Sequence, residues 1–499
     1  MMNSTKQLTL HFKSLWRQWA TLAMMLFLVA VVSGGSSGCS KKSNNVTTDP
    51  TTPVPVKNDV AFWMTTANKG ALLQKQNFSL AFTDASNGNL TIEVDSTQAM
   101  QAIDGFGYTL TGGSATLINA LGASQKDELL KELFGTDETS IGVSYLRISI
   151  GASDLSDAPF TYNDLTAGET DPTLQKFSID RETKDLIPVL KKIVAIYPGI
   201  KILGSPWTAP TWMKTNNSFV GGSLKPEYYS VYAQYFVKYV QAMKAEGITI
   251  DAITVQNEPL HPGNNPSMYM EATNQADFVK NHLGPAFEAA NIKTKIIVYD
   301  HNCDKPEYPL AILNDAAAKK YVDGSAFHLY AGNINALSQV HFAHPDKNVY
   351  FTEQWIGGPG NFAADLKWHV ETLIIGAPRN WSRNVLEWNL AADQNYQPHT
   401  DKGGCDACLG ALTISGSSVT RNTAYYTIAH ASKFVRPGSV RIQSNVPANL
   451  PNVAFLSPEG KKVLIVLNTG SSYQSFNIKF KGKIVTASLD AGAVGTFVW

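Results

Sequence analysis

Between residues 99 and 431 the chain alternates short apolar runs with longer segments whose apolar positions recur at helical spacing. The runs Ala102 to Tyr108, Ser144 to Ile150, Lys201 to Ser205, Ala252 to Gln256, Lys295 to Tyr299, Ser325 to Tyr330, Val349 to Thr352 and Asn384 to Asn389 read as strands. The intervening segments read as amphipathic helices. Ser124 offers an N-cap before Leu129, Leu130 and Leu133, and Tyr228 to Met243 follows Pro226 and stops at Gly247. Eight strands alternating with helices predict an α/β fold, a (β/α)8 barrel. An open doubly wound sheet would carry a glycine-rich phosphate loop after its first strand, and Gly105-Phe106-Gly107 is too short to be one.

Outside that region the period changes to two. Leu90, Ile92 and Val94 alternate within Asn89 to Asp95. Past residue 435 the runs Val453 to Leu456, Val463 to Leu467, Ser475 to Phe480, Ile484 to Leu489 and Val494 to Trp499 are separated by turn signals such as Pro458-Glu459-Gly460 and Asn468-Thr469-Gly470. These predict an all-β sandwich built from residues 59–98 and 432–499, flanking a catalytic barrel at 99–431.

The N-terminus reads as a targeting segment. Lys6, Lys13 and Arg17 precede an apolar stretch from Ala20 to Val32, then small residues to Gly38, then Cys39. Residues 1–38 are therefore expected to be a signal peptide, and Cys39 the lipidated first residue of a bacterial lipoprotein in the outer membrane. Ser36 stands where such motifs usually carry Leu, and a plain signal peptide cut nearby is the alternative. Residues 39–58, polar and rich in Pro and Thr, read as a tether without a core.

Composition narrows the partners. Lys+Arg and Asp+Glu are equal in number, and charged residues make up 16% of the chain, below the ~25% usual for soluble domains. No electrostatic argument supports a nucleic acid or an anionic membrane surface, and membrane contact is expected only through the lipid. A monomer is expected. The ten histidines form no HxH or HxxE cluster at strand ends, so neither a metal nor another cofactor is expected. Cys405 and Cys408 form a CxxC in a glycine-rich loop, which in an exported protein suggests a disulfide, while Cys303 reads as a packed thiol.

Two glutamates carry the candidate chemistry. Glu258 in Gln256-Asn257-Glu258-Pro259 and Glu353 in Phe351-Thr352-Glu353-Gln354 each end an apolar run, where barrel enzymes place catalytic groups. Paired carboxylates at strand ends suit glycosidic bond hydrolysis. Trp207, Trp212, Trp355 and Trp388 also lie at or just after candidate strand ends, and aromatic rings pack on the C–H faces of sugars.

Asp104-Gly105-Phe106-Gly107, Leu146-Arg147-Ile148-Ser149, Ser205-Pro206-Trp207 through Lys214, Asn257-Glu258-Pro259, His328-Leu329-Tyr330, Thr352-Glu353-Gln354 and Glu387-Trp388-Asn389-Leu390-Ala391 occur in an order that resembles glycoside hydrolase family 30. The likeness runs from about residue 60 to the C-terminus. It implies a retaining mechanism, with Glu258 as acid/base and Glu353 as nucleophile. It further implies that Arg147 partners Glu353, that Asn257 holds the sugar 2-hydroxyl, that Asp154 and Trp207 bind hydroxyls, that Trp388 floors the nonreducing sugar and that Tyr330 stands close to the nucleophile, leaving His328 a structural role. Glu258 is expected to be held protonated by burial and its neighbouring carboxylate, and Glu353 ionised.

Departures from the family bear on substrate. Members that cleave glucosylceramide carry Gly-Gly-Ala-Met-Thr-Asp where this chain has Tyr108 to Gly113, and a Gly-Gly-Pro-Asn segment where it has Asp393 to His399 and the Cys405/Cys408 loop. The chain looks like the microbial branch acting on β-1,6-glucan, and an endo-β-1,6-glucanase is expected, with Tyr108 to Gly113, Trp207, Trp212 and Trp355 as pocket walls. The alternatives are a glucosylceramidase, β-glucosidase or xylanase of the same family, an inactive glycan-binding lipoprotein, and a metal-dependent barrel hydrolase.

Overall fold

The computed structural model describes residues 57–499; the expected signal peptide, Cys39 and nearly all of the tether lie outside the described residues. Strands β1 (Gly105–Thr109), β2 (Tyr145–Ser149), β3 (Lys201–Ser205), β4 (Ala252–Thr254), β5 (Lys295–Cys303), β6 (Val322–Gly332), β7 (Asn348–Glu353) and β8 (Ser382–Asn389) close in sequence order into a parallel barrel. Strand alternation divides their side chains. Phe106, Leu146, Ile148, Ile202, Ile253, Ile296, Phe327, Phe351 and Val385 face outward into the core shared with the helices. Tyr145, Leu203, Ala252, Ile297, Ala326, Tyr350 and Leu386 face inward and plug the lower barrel, one from each of β2 to β8. β1 brings glycine instead: a Cβ at Gly107 would sit 1.9 Å from the carbonyl oxygen of Tyr145. Gly105-Phe106-Gly107 thus serves strand packing, in keeping with the absence of a phosphate loop.

The helices present the spacing their sequences predict. Tyr229–Ala245 buries Tyr232, Tyr235, Phe236, Tyr239, Val240 and Met243, one stripe at 3.6-residue period. It is preceded by a short 3-10 turn at Pro226–Tyr228 and followed by Gly247 at φ 81°. One expected cap is wrong: the helix of Leu129 and Leu133 runs Ala123–Phe134 with Gly122 at its N-cap, and the Ser124 hydroxyl bonds Glu128 within the helix.

A nine-stranded sheet of strands from before and after the barrel forms the β-sandwich. Its order is Gln74–Lys75, Ala61–Thr65, Val494–Val498, Lys462–Leu467, Asn452–Leu456, Val440–Ser444, Leu90–Ala102, Gln474–Phe480, Lys483–Leu489. Both faces are buried. Ala454, Leu464, Val466 and Phe497 meet Ile92, Phe476, Ile478 and Val485 in the sandwich core. Their strand neighbours Val453, Phe455, Val463 and Ile465 pack on the barrel. Leu90–Ala102 continues past residue 98, because Ala99 pairs with Ile442 and Ala102 with Val440. The expected first barrel run from Ala102 is therefore corrected to Gly105–Thr109. On the helix Thr423–Ser432, buried His430 contacts Thr65 on one of these strands and Thr496 on another, 2.8 Å from each hydroxyl.

Candidate active site

Two residues above the plug, six strands point their next side chain inward: Arg147 on β2, Ser205 on β3, Thr254 on β4, His328 on β6, Thr352 on β7 and Trp388 on β8, all buried. On β5 the count fails. Val298 and Tyr299 both join the outer core, and Asp300 turns inward. Tyr299 and Asp300 have φ of 74° and 63°, and pairing with β6 jumps from Tyr299 opposite Ala326 to His301 opposite Phe327. This bulge aims a carboxylate at the barrel axis that regular alternation would have turned away.

Arg147 and Asp300 are the centre of that layer, both without side-chain exposure. Arg147 Nη2 donates to Asp300 Oδ2 at 2.7 Å and to Asn257 Oδ1 at 2.6 Å, and Nη1 donates to Glu353 Oε2 at 2.5 Å. The guanidinium also lies 4.7 Å from the Trp207 ring centre. Asp300 Oδ2 accepts from Ser205 and Thr254, and Oδ1 from Thr352. Arg147, with His328 and these donors, outweighs burial and holds the Asp300 carboxyl well below the usual range. The family resemblance had supplied no role for Asp300, Ser205, Thr254 or Thr352.

Glu353 ends β7, and the Tyr330 hydroxyl donates to its Oε1 at 2.9 Å. Glu258 follows β4, held in the left-handed region at φ 44° by a bond from its own amide to the Asp300 carbonyl. A carboxylate oxygen of Glu258, one of Glu353 and a ring nitrogen of His328 all lie within 4.8 Å of one another. His328 is therefore more than structural, with Nδ1 2.9 Å from Glu258 Oε1 and Nε2 3.1 Å from Asp300 Oδ1. Burial opposes its charge, but Glu353, Asp300 and Glu258 outweigh burial and raise His328 to about 9. The protonation expected for Glu258 is correspondingly revised. Burial raises it, yet the hydrogen bond and charge of His328 bring it below its ordinary value. Burial raises Glu353, against the pull of His328 and Arg147.

A wall closes one side of this group. Leu155, Trp207, Trp388 and Cys408 form a buried cluster, with Trp355 and Cys405 packed against it, and the two indoles lie 5.4 Å apart. Cys405 and Cys408 are disulfide-bonded. Asp154 is buried beside the wall, its Oδ2 accepting from the Cys405 amide at 3.1 Å and its Oδ1 without a partner. Burial and the charges of Glu353 and Glu258 push it up to about 7. Two expected wall residues lie elsewhere. Trp212 packs against Tyr228 and donates to Asn163, and Tyr108, with no exposed surface, reaches the Ala424 carbonyl. The Ser-Pro-Trp block instead supplies buried Lys214, which donates to Thr208 and to the carbonyls of Ser218 and Ser267 and so holds the Trp207 loop.

Glu258, His328 and Glu353 are the group whose spacing would also suit a metal ion. Both His328 nitrogens, however, already face carboxylates at hydrogen-bond distance. A cavity of about 610 Å³ opens at the opposite end of the barrel, lined by Tyr145, Lys201, Lys244, Asp251 and Lys293. It is remote from the strand-end carboxylates.

Residues 103–435 match the profile described as glycosyl hydrolase family 30 TIM-barrel domain, and residues 438–497 the family's beta sandwich domain. An endo-1,6-beta-D-glucanase of Aspergillus fumigatus is 37% identical over 412 residues, covering 77% of this chain and 82% of that one. A putative glucosylceramidase of Caenorhabditis elegans is 29% identical over 451 residues, covering 85% and 84%. Among solved structures, an endo-beta1,6-glucanase superposes with a TM-score of 0.83 at 35% identity, covering 89% of this chain and 99% of that one.

Proposed function

The chain belongs to glycoside hydrolase family 30, and from that premise we propose that it is a retaining endo-β-1,6-glucanase. The observation that carries the mechanism is the 4.8 Å limit on the distance between oxygens of Glu258 and Glu353. Retaining enzymes hold their carboxyls ~5–5.5 Å apart, while inverting enzymes leave ~6.5–9.5 Å for a water. Glu353 attacks the anomeric carbon as Glu258 passes its proton to the departing oxygen, giving a glycosyl-enzyme and a free chain end. Glu258 then takes a proton from water, whose oxygen displaces Glu353 and restores both carboxyls.

The neighbours fit these steps. Arg147 and Tyr330 each donate to one oxygen of Glu353, favouring its anion against the burial that raises it and leaving lone pairs free to attack. Asn257 Oδ1 accepts from Arg147 Nη2, which leaves its Nδ2 to meet the sugar 2-hydroxyl. Asp154, Trp207 and Trp388 surround the same sugar. The linkage follows the named relatives, two of which are β-1,6-glucanases at 35–37% identity. No metal enters these steps, and excess chelator should leave the rate unchanged.

The test is a parallel digest of β-1,6-glucan, xylan, β-1,3-glucan and glucosylceramide with product sizing. Preference for β-1,6-glucan with early oligosaccharides is expected. Glucose as sole early product would remove the endo assignment, and faster xylan cleavage the substrate. With a dinitrophenyl β-glucoside, whose leaving group departs without a proton, azide should rescue Glu353→Ala with inverted product and Glu258→Ala with retained product. We further propose that Cys39 carries a lipid anchor; Cys39→Ala should then move the protein from membrane to soluble fractions, and a soluble wild type would refute the anchor.

A further inference from the structure

We infer that His301 is a leaving-group residue: its imidazole hydrogen-bonds a hydroxyl of the sugar on the far side of the bond being cut. The inference rests on the glucanase reading above. Asp154, Trp207 and Trp388, which enclose one sugar, come from the loop after β2 and the ends of β3 and β8. Around the closed barrel β5 and β6 stand opposite that wall, and Glu258, following β4, stands between the two sides. A group protonated by Glu258 and moving away from the wall therefore meets β5.

The first β5 side chain beyond Asp300 is His301. Its Nδ1 lies 3.8 Å from Glu258 Oε1, beyond hydrogen-bond distance, and has no partner although it is enclosed. Buried polar atoms are almost always paired, so an orphan beside the acid/base points to a partner that arrives with substrate. The ring packs near Tyr299 and His328 and keeps 7% exposure. Burial lowers its basicity to about 4, so near neutral pH it is an uncharged ring with one donor and one acceptor. Such a ring suits a hydroxyl and does not compete with His328 for Glu258. In a β-1,6 bond the leaving oxygen is a primary one, and the 4-hydroxyl and ring oxygen are the next polar atoms of that sugar.

The test compares β-1,6-glucan with two aryl β-glucosides, which place no sugar beside His301. Phenyl glucoside needs the proton from Glu258, and dinitrophenyl glucoside does not. His301→Phe should lower kcat/KM on glucan about tenfold, the effect of one lost hydrogen bond, while both aryl glucosides stay within about twofold. His301→Gln, which keeps a donor and an acceptor, should recover part of the glucan rate, and it gives the same comparison if the Phe variant does not fold. Equal losses on glucan and phenyl glucoside would make His301 a support for Glu258 and overturn the inference, as would unchanged rates on all three. Failure of the wild type to cut β-1,6-glucan would instead remove the glucanase reading, and the inference with it.

Discussion

Arg147 has no surface exposed to water, so its charge is balanced from within, by Asp300 and Glu353. Taking one partner from such a pair strands a buried charge and costs ~3–5 kcal/mol. Asp300→Asn keeps the shape but not the charge. We expect it to lower unfolding free energy by about 3 kcal/mol in a urea titration and kcat/KM by at least about a hundredfold, since Arg147 and His328 both lose an anchor. A variant with the wild-type urea midpoint would mean that Asp300 does not balance Arg147. Glu258 and Glu353 were legible in the sequence because each ends an apolar run. Asp300 was not, because the bulge at Tyr299 and Asp300 puts it inward where alternation reads Tyr299. His328 was legible as a position but not as a proton holder, since that property arises from three carboxylates brought together by β4, β5 and β7.

The loop holding Cys405 and Cys408 acts as an element of its own, threaded among strand ends. Cys408–Leu409 pairs antiparallel with Ile356–Gly357, just after Glu353. The Thr400 amide donates to the Asp154 carbonyl, and the Cys405 amide to the Asp154 side chain. The disulfide thereby fixes a donor that orients the buried Asp154 carboxylate. Replacing both cysteines with serine should raise KM for glucan about threefold to tenfold, a hydrogen bond's worth, with kcat nearly unchanged. An unaltered KM would show that Asp154 keeps its orientation without the staple. At this scale the eight barrel strands and five strands after the barrel were readable from apolar runs. Ala61–Thr65 and Val440–Ser444 were not: Ala61–Thr65 is a run of only four apolar residues ended by Thr65, and Val440–Ser444 alternates around Arg441 and Gln443. Their partners in the sheet decide both.

Barrel and sandwich meet at His430, and the whole molecule inherits that residue's titration. Burial lowers its pKa to about 3, against ~6.5 for an exposed histidine. Between those values the unfolded chain binds a proton that the folded one refuses. Stability from this group is therefore complete above pH ~6.5 and is lost as pH falls, by up to ~1.4 kcal/mol per pH unit. His430→Gln should be less stable than wild type at pH 7, and the two stability curves should converge toward pH 4; parallel curves would exclude His430 as the source of acid lability. Its neighbours Thr65 and Thr496 lie on two strands that pair directly, Ala61 opposite Val498 and Thr65 opposite Val494. A ribosome releases the first of these long before the second. Throughout synthesis of the barrel, Ala61–Thr65 has only Gln74–Lys75 beside it, and its pairing with Val494–Val498, of very high sequence separation, forms only at the end. The barrel's own strands close in chain order, so the chain has the means to fold its catalytic half early, while the last strand to be made completes the sheet that the first one began.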